Sequence, residues 1–445
     1  MVRLLSRKMK DSGIDWIGEI PEDWDTVKIK NLATQKDGLF LDGDWIESNI
    51  IASEGIRYLT TGNIGEGYFK EQGDGFISEE TLNDMNCLVV YPGDLVISRL
   101  NKPIGRACIL PDTHDKYVIA VDNVVLRPNA KLHDKLFLKF VMNVDGYSDE
   151  ANMISRGATM PRISRTLLGN IRLPIPPLSQ QQKISNFLDK KVAEIDHILE
   201  KTRESIEEYK KYKQSIITEA VTKGLNPDIK MKDSGIEWIG EIPEHWEVTK
   251  FKNVGTLGSG GTPSSSNRDY YEDGDINWIC SLDLNENEIY DTKEKLNELG
   301  FNNCPGRIRA INSIAIAMYG GSGTIGNSGI LRVEATCNQA ICCITFNKGI
   351  CDSEYMFYYI RSIRKHWMIY AVGTRKDPNI SQTTVSNMFS LLPPFFEQQE
   401  IAKYLGRKVA EIEDLITQKD KLIHDLELYK KSLIYECVTG KREVI

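Results

Sequence analysis

Several features are scarce in this sequence of 445 residues, and each scarcity removes a class of protein. Its nine cysteines fall singly apart from Cys342-Cys343, with no Cys-x-x-Cys and no histidine pair beside them. That pattern argues for a reducing compartment and against structural zinc. The six histidines, at 114, 133, 197, 245, 366 and 424, never fall at a metal-ligand spacing. No apolar run approaches the length of a membrane span, and the opening Met-Val-Arg-Leu-Leu-Ser-Arg-Lys holds no signal core, so a cytoplasmic protein with no membrane partner is expected. Nor is there an excess of basic charge. A net charge of −8 is unfavourable for a protein that grips nucleic acid alone, so any polyanion must be met by local patches or with a basic partner.

Catalytic signatures are missing too. Leu392-Pro393-Pro394-Phe395 has the outline of the Asn/Asp-Pro-Pro-Tyr/Phe signature of amino-group methyltransferases. Leucine, however, offers no acceptor to hold an exocyclic amine, and prolines ending a strand before a helix explain the motif better. Gly258-Ser259-Gly260-Gly261-Thr262-Pro263 and Gly320-Gly321-Ser322-Gly323 lack the Lys-Ser/Thr of a P-loop and the dinucleotide spacing. Nuclease-like triplets such as Asp228-Ile229-Lys230 and Asp291-Thr292-Lys293 arise by chance in a chain with 27% charged residues. The expectation is a chain with no catalytic residue, no metal site and no cofactor of its own.

What is present is a duplication. Met9-Lys10-Asp11-Ser12-Gly13-Ile14-Asp15-Trp16-Ile17-Gly18-Glu19-Ile20-Pro21-Glu22-Asp23-Trp24 returns 222 residues later as the frame from Met231 to Trp246. Pro176-Pro177 with Gln181-Gln182 returns 217 residues on as Pro393-Pro394 with Gln398-Gln399. A repeated module usually means two copies of one binding job. With 41% hydrophobic residues the chain can bury more than one core.

Between the matching frames, residues 29–173 read as mixed and largely β. Runs at 87–91, 95–97 and 117–121 are rich in β-branched residues and broken by proline and glycine turns, with a helix expected at 136–143. The second half echoes this at 311–318, 329–331 and 340–345, with a helix near 353–364. The frames are nearly shared while the middles have diverged, which suggests two different targets.

After each globular part comes a long helix. Apolar residues at Ile184, Leu188, Val192, Ile195, Leu199, Thr202, Ile206 and Tyr209 step by three and four, as do Ile401, Leu405, Val409, Ile412 and Ile416, then Ile423, Leu426 and Leu433. This is a coiled-coil seam. Ser179-Gln180-Gln181-Gln182 has the form of a capping box, and Gly224 and Gly440 are suitable stops. The spans 179–222 and 396–439 would each run roughly 66 Å. The expected fold is α+β: two mixed α/β domains held apart by two long helices in an antiparallel coiled coil, with a pseudo-two-fold internal repeat. The expected divisions are 1–173, 174–225, 226–392 and 393–445.

Polar and basic loops recur at matching points of the two halves. In the first they gather Arg57, Thr60, Thr61 and Asn63, then Arg99, Asn101 and Lys102, then Arg156, Thr159 and Arg162. In the second they gather Thr262, Ser264, Asn267 and Arg268, then Tyr319 and Ser322, then Thr374, Arg375 and Lys376. Such donors suit phosphates and base edges, although any one of them taken alone reads as an ordinary solvated loop residue.

Taken together, the doubled frame, the Pro-Pro then Gln-Gln start of each helix and the Gly260-Gly261-Thr262-Pro263 turn resemble the specificity subunit of Type I restriction-modification systems. The likeness spans essentially the whole chain. It takes in Gly93-Asp94-Leu95-Val96-Ile97-Ser98 with Ile104-Gly105, and residues 157–171; the second half has Asn312-Ser313 where the first has Gly93-Asp94. The resemblance implies two target-recognition domains, each reading one half of an asymmetric, split site in double-stranded DNA. It also implies helices that fix the gap and dock two modification subunits. Those partners would supply S-adenosylmethionine and methylate adenine at N6, and restriction and translocase subunits would complete the assembly. The rival readings are a tandem coiled-coil scaffold that binds other proteins, and a self-contained methyltransferase or nuclease, which would need the catalytic motifs missing above.

Overall fold

The computed structural model describes residues 7–320, 323–373 and 378–444. The chain divides into two compact units, Met1–Thr202 with Lys421–Ile445, and Arg203–Asp420. These divisions fall inside the long helices rather than at their ends, because each helix terminus is built into a globular core. Leu433, Cys437 and Val438 pack in the first core with Ile20 and Trp24. In the second, Ile217 and Val221 pack with Ile242 and Trp246.

In the first unit the frame forms a hairpin, Met9–Asp11 against Glu19–Pro21, and the strand Asp25–Lys28 pairs antiparallel with Arg172–Ile175. Between them lie two four-stranded sheets. One is antiparallel, in the order Leu39–Asp42, Asn123–Arg127, Leu95–Ser98, Ala107–Ile109. The other runs Phe76–Ile77, Ile56–Leu59, Tyr117–Ile119, Val89–Val90, and its central pair is parallel. Leu95–Ser98 is buried along its whole length, as its unbroken apolar run requires. Alternation sorts its side chains: Leu95 and Ile97 join the helix-side core, while Val96 packs with Leu59, Tyr117 and Ile119 beneath the other sheet.

The second unit repeats the plan. Gly255–Ser259, Ile341–Phe346, Ile314–Ala317, Ser328–Leu331 and Asn287–Ile289 form one sheet. Ile276–Ile279 lies parallel to Ala335–Cys337 in the other. Ile314 and Ile316 face the helix-side core, and Ala315 and Ala317 face Ile279 and Cys337. Where the first unit has Gly93 at φ 80°, the second has Asn312 at φ 68°, so asparagine takes the left-handed turn. Asp94 grips Arg127 through contacts of 2.6 to 3.0 Å, and the equivalent Ser313 meets Thr345 at 2.7 Å.

The long helices run Leu178–Lys223 and Phe395–Val438, within about one residue of expectation at each end, and Gly224 and Gly440 follow them at φ 75°. Shorter helices at Lys135–Val141 and Ser353–Ser362 match the two expected ones. Within the second unit Lys213 pairs with Glu413 and Lys419 lies over Tyr209, so the two helices run antiparallel there. Lys430 and Asp196 make a comparable pair in the first unit.

The capping box does not form. The helix begins before Ser179, and the N–H groups of Gln180 and Gln181 donate to the Pro177 carbonyl at 2.8 and 3.0 Å. The start is secured instead by Gln181, whose side chain is fully buried and bonds three backbone groups: the Asp134 N–H and the carbonyls of Leu132 and Pro176. Gln398 does the same with the Asp352 N–H and the carbonyls of Ile350 and Pro393.

Candidate nucleic-acid interface

In the first unit the three loops singled out from sequence form one continuous surface. The strand Ile56–Leu59 runs into a short turn, Thr61–Asn63, closed by a capping box in which the Asn63 side chain accepts the Thr60 N–H at 2.9 Å. The loop after Leu95–Ser98 joins the 156–162 loop through the Asn101 N–H, which reaches the Pro161 carbonyl at 3.0 Å, and a bridge between Leu100 and Arg162. Arg156 and Arg162 close the 156–162 loop as a pair, exchanging backbone hydrogen bonds of 2.9 and 2.8 Å.

Three of the expected donors turn inward. Arg57 is buried and spends its guanidinium on the carbonyls of Tyr58, Gln72, Gly73 and Gly75, with Glu71 at 3.4 Å. Asn63 is also buried and donates to the carbonyls of Lys70 and Gln72. Arg99 binds the carbonyls of Val121 and Ile163 and lies 3.0 Å from Asp42. What these side chains do is hold loops, because they are buried and bound to backbone carbonyls. Burial lowers the pKa of the Arg99 guanidinium, which stays charged because an arginine starts so high.

The remaining residues face outward. Thr60, Asn101, Lys102, Arg156, Thr159 and Arg162 are exposed, Thr61 is half-buried, and Arg162 is steadied by Asp122 at 2.6 Å. This leaves a surface of mixed donors with three cations, Lys102, Arg156 and Arg162, on a rigid base.

In the second unit the end of Gly255–Ser259 meets the 338–340 turn. Gly260 lies so close to the Cys337 carbonyl oxygen that a Cβ would overlap it, as Gly43 does with the Ile119 carbonyl in the first unit. Close backbone approach is therefore what the Gly-Gly-Thr-Pro turn supplies. Thr262 is exposed and its hydroxyl donates to the Gln339 side chain. Ser264 pairs with Ser266 at 2.8 Å, Asn267 caps the turn Arg268–Tyr270 by accepting the Asp269 N–H, and Arg268 is exposed. Tyr319 is exposed beside Met318, whose carbonyl accepts the Ile380 N–H at 3.0 Å, matching Arg99 and Ile163 in the first unit. Ser322, Thr374, Arg375 and Lys376 lie outside the described residues. The flanking strands Val372–Gly373 and Pro378–Asn379 pair as Arg156 and Arg162 do.

Two features escaped the sequence. The counterpart of the Thr60 turn is Cys280 with Ser281–Asp283, where the Asp283 carboxylate accepts the Cys280 N–H at 2.8 Å. At its tip Leu282 is 89% exposed, the highest value among the large hydrophobic side chains of the described residues. Thr60-x-x-Asn63 and Cys280-x-x-Asp283 share a spacing and a place after the parallel strand, and that match is the signal that could have found it. The second feature is a side chain beneath the turn in each unit, buried at Arg106 and half-buried at Asn327. Arg106 donates to the carbonyls of Thr61, Ile64, Leu100, Asn101 and Pro103. Asn327, in the equivalent position, donates to the Leu284 carbonyl at 3.1 Å.

The model of the type I restriction modification DNA specificity domain matches twice, over residues 21–208 and 243–424. The chain is 26% identical over 436 residues to the MjaX type I restriction enzyme specificity subunit of Methanocaldococcus jannaschii, covering 96% of each. It is 20% identical over 465 residues to the EcoBI specificity subunit of Escherichia coli, covering 98% of this chain and 90% of that one. Among solved structures, a chain from work on complex assembly and conformational transition of the type I R-M system superposes with a TM-score of 0.74 at 14% identity, over 95% of this chain and 99% of that one. The HsdS subunit from Thermoanaerobacter tengcongensis superposes with a TM-score of 0.57 at 15% identity, over 95% and 98%.

Proposed function

The chain belongs to the type I restriction modification DNA specificity family, and we propose that each of its two units reads one half of an asymmetric, split site in double-stranded DNA. As a specificity subunit it recognises DNA sequence for the partner subunits of a restriction-modification system and is itself non-catalytic. The family assignment leaves the scaffold alternative without support.

The observation that carries the half-site reading is repetition with divergence. Both units place a short capped turn after a parallel strand, next to a loop that follows the buried central strand. The framework under the two surfaces is the same, down to Gln181 and Gln398. The side chains on top differ: threonine, asparagine, lysine and arginine in the first unit, a leucine-tipped turn with serine, threonine, tyrosine, Asn267 and Arg268 among the described residues of the second. Few base-edge contacts are needed, since a good bidentate pair contributes about 1–3 kcal/mol of discrimination.

In the same reading the long helices set the gap between half-sites and dock two modification subunits. Those subunits hold S-adenosylmethionine and methylate adenine at N6, restriction and translocase subunits complete the assembly, and the complex works in the cytoplasm. Basic partners that grip the DNA backbone account for a net charge of −8 on the recognising subunit. Long-read methylation mapping of a host carrying this gene with its neighbours, compared with a deletion of this gene, tests the reading. One split motif that disappears with the deletion is the expected result; an unchanged methylome rejects it.

A further inference from the structure

Beneath the capped turn of each unit lies one side chain that follows a glycine, buried in the first unit and half-buried in the second, and the two differ sharply in what they hold. Gly105 and Gly326 each turn the chain at positive φ, 85° and 79°, and the next residue, Arg106 or Asn327, points back beneath the surface. Their places are the same: the Arg106 carbonyl accepts the Ser98 N–H at 2.9 Å, and the Asn327 carbonyl accepts the Ala317 N–H at 2.8 Å.

Arg106 is buried and donates to five carbonyls. Its Nε reaches Ile64 at 2.6 Å and Nη2 reaches Thr61 at 2.8 Å, so one edge holds the capped turn. Its Nη1 lies 3.3, 2.8 and 2.9 Å from the carbonyls of Leu100, Asn101 and Pro103, so the other edge holds the loop bearing Asn101 and Lys102. A planar, charged fork in a buried position fixes both segments at once. Among the described residues the Asn327 side chain makes only the turn-side contact, Nδ2 to Leu284 at 3.1 Å, and its Oδ1 is buried without a partner there.

We infer that Arg106 and Asn327 are positioning residues that set how strictly each half-site is read, and that the first unit reads its half-site more stringently than the second. This rests on the reading of the two units as half-site readers. A turn and a loop locked to a common charged group cannot shift separately to accommodate a wrong base. In the second unit the turn shares one neutral bond with Asn327, and the loop beside it is held from outside the turn, its Gly323 carbonyl accepting from Arg364, which pairs with Glu286; turn and loop can then shift separately, and a contact that relaxes discriminates less. The wild-type motif should therefore carry its degenerate positions in the half-site read by the second unit.

The test is Arg106→Asn, which gives the first unit the second unit's side chain. Full-length wild-type and variant chains are assembled with their modification subunits, and methylation is scored on DNA carrying every single-base change in either half-site. Exchange of residues 29–173 for those of another family member identifies the first unit's half-site. Discrimination in that half-site should fall about tenfold for at least one base, with the other half-site unchanged. A purely structural role would instead lower melting temperature and total methylation while leaving the motif intact, and that outcome overturns the inference, as does equal relaxation of both half-sites. If Arg106→Asn does not fold, Asn327→Ala serves: relaxation confined to the second half-site supports positioning, and an unaltered motif refutes it. A wild-type complex with no split motif at all would count against the half-site reading itself rather than against the clamp.

Discussion

Gln181 donates its side-chain amide to the Pro176 carbonyl at 2.7 Å, bonding across the residues that lead from the last strand into the long helix. The same side chain reaches the start of the helix Lys135–Val141, so one glutamine ties strand end, short helix and long helix together. Gln398 repeats the bond to Pro393 at 2.8 Å. This is why the glutamines recur with the prolines: each holds a corner where three elements meet.

Replacing Gln181 or Gln398 by alanine should leave one buried N–H and two buried carbonyls without their partner. Each such group costs about 1–3 kcal/mol, so a loss of roughly 2 kcal/mol or more is expected from either change. Urea unfolding followed by circular dichroism checks it. A loss below about 0.5 kcal/mol would mean that the corner is held by the apolar packing around it.

Leu282 should influence specificity and leave stability alone. An exposed side chain contributes little to folding, within about 0.5 kcal/mol. Set on the turn that matches Thr61–Asn63, it is placed to touch a thymine methyl. Leu282→Ser should keep the melting temperature and change the bases accepted in the second half-site only, as read by methylation mapping. An unaltered motif would remove this turn from the recognition surface.

Insertion of one heptad into each long helix should lengthen each by about 10 Å. At a rise of about 3.4 Å per base pair this is near three base pairs. The motif should then keep both half-sites with a longer spacer. A spacer of the original length would show that something other than the helices sets the gap.

How much of this was legible follows from where the determining contacts lie. The long helices were, because the apolar seam and the glycine stops are local in sequence; Ile184, Leu188, Ile195 and Leu199 are all buried as their spacing requires. The central strands were legible for the same reason. The capping box at Ser179 failed because the Pro177 carbonyl already accepts the N–H groups of the first turn, and the decisive partner of Gln181 lies 47 residues away at Asp134. Arg57, Asn63 and Arg99 looked like open donors because nothing local reveals that their hydrogen bonds go to backbone carbonyls of other loops. Arg106 was invisible for the converse reason: an arginine after Ile104-Gly105 carries no mark of its five carbonyls. Leu282 was passed over because a search for polar loops ignores an apolar tip, although the spacing it shares with the first turn was on view.

The central claim is that each unit reads its own half-site. Exchange of residues 29–173 for the corresponding segment of another family member, followed by methylation mapping of the assembled complex, tests it most directly. The account predicts a motif in which one half-site is replaced while the other half-site and the spacer are retained. A motif altered in both halves, or in neither, would contradict it.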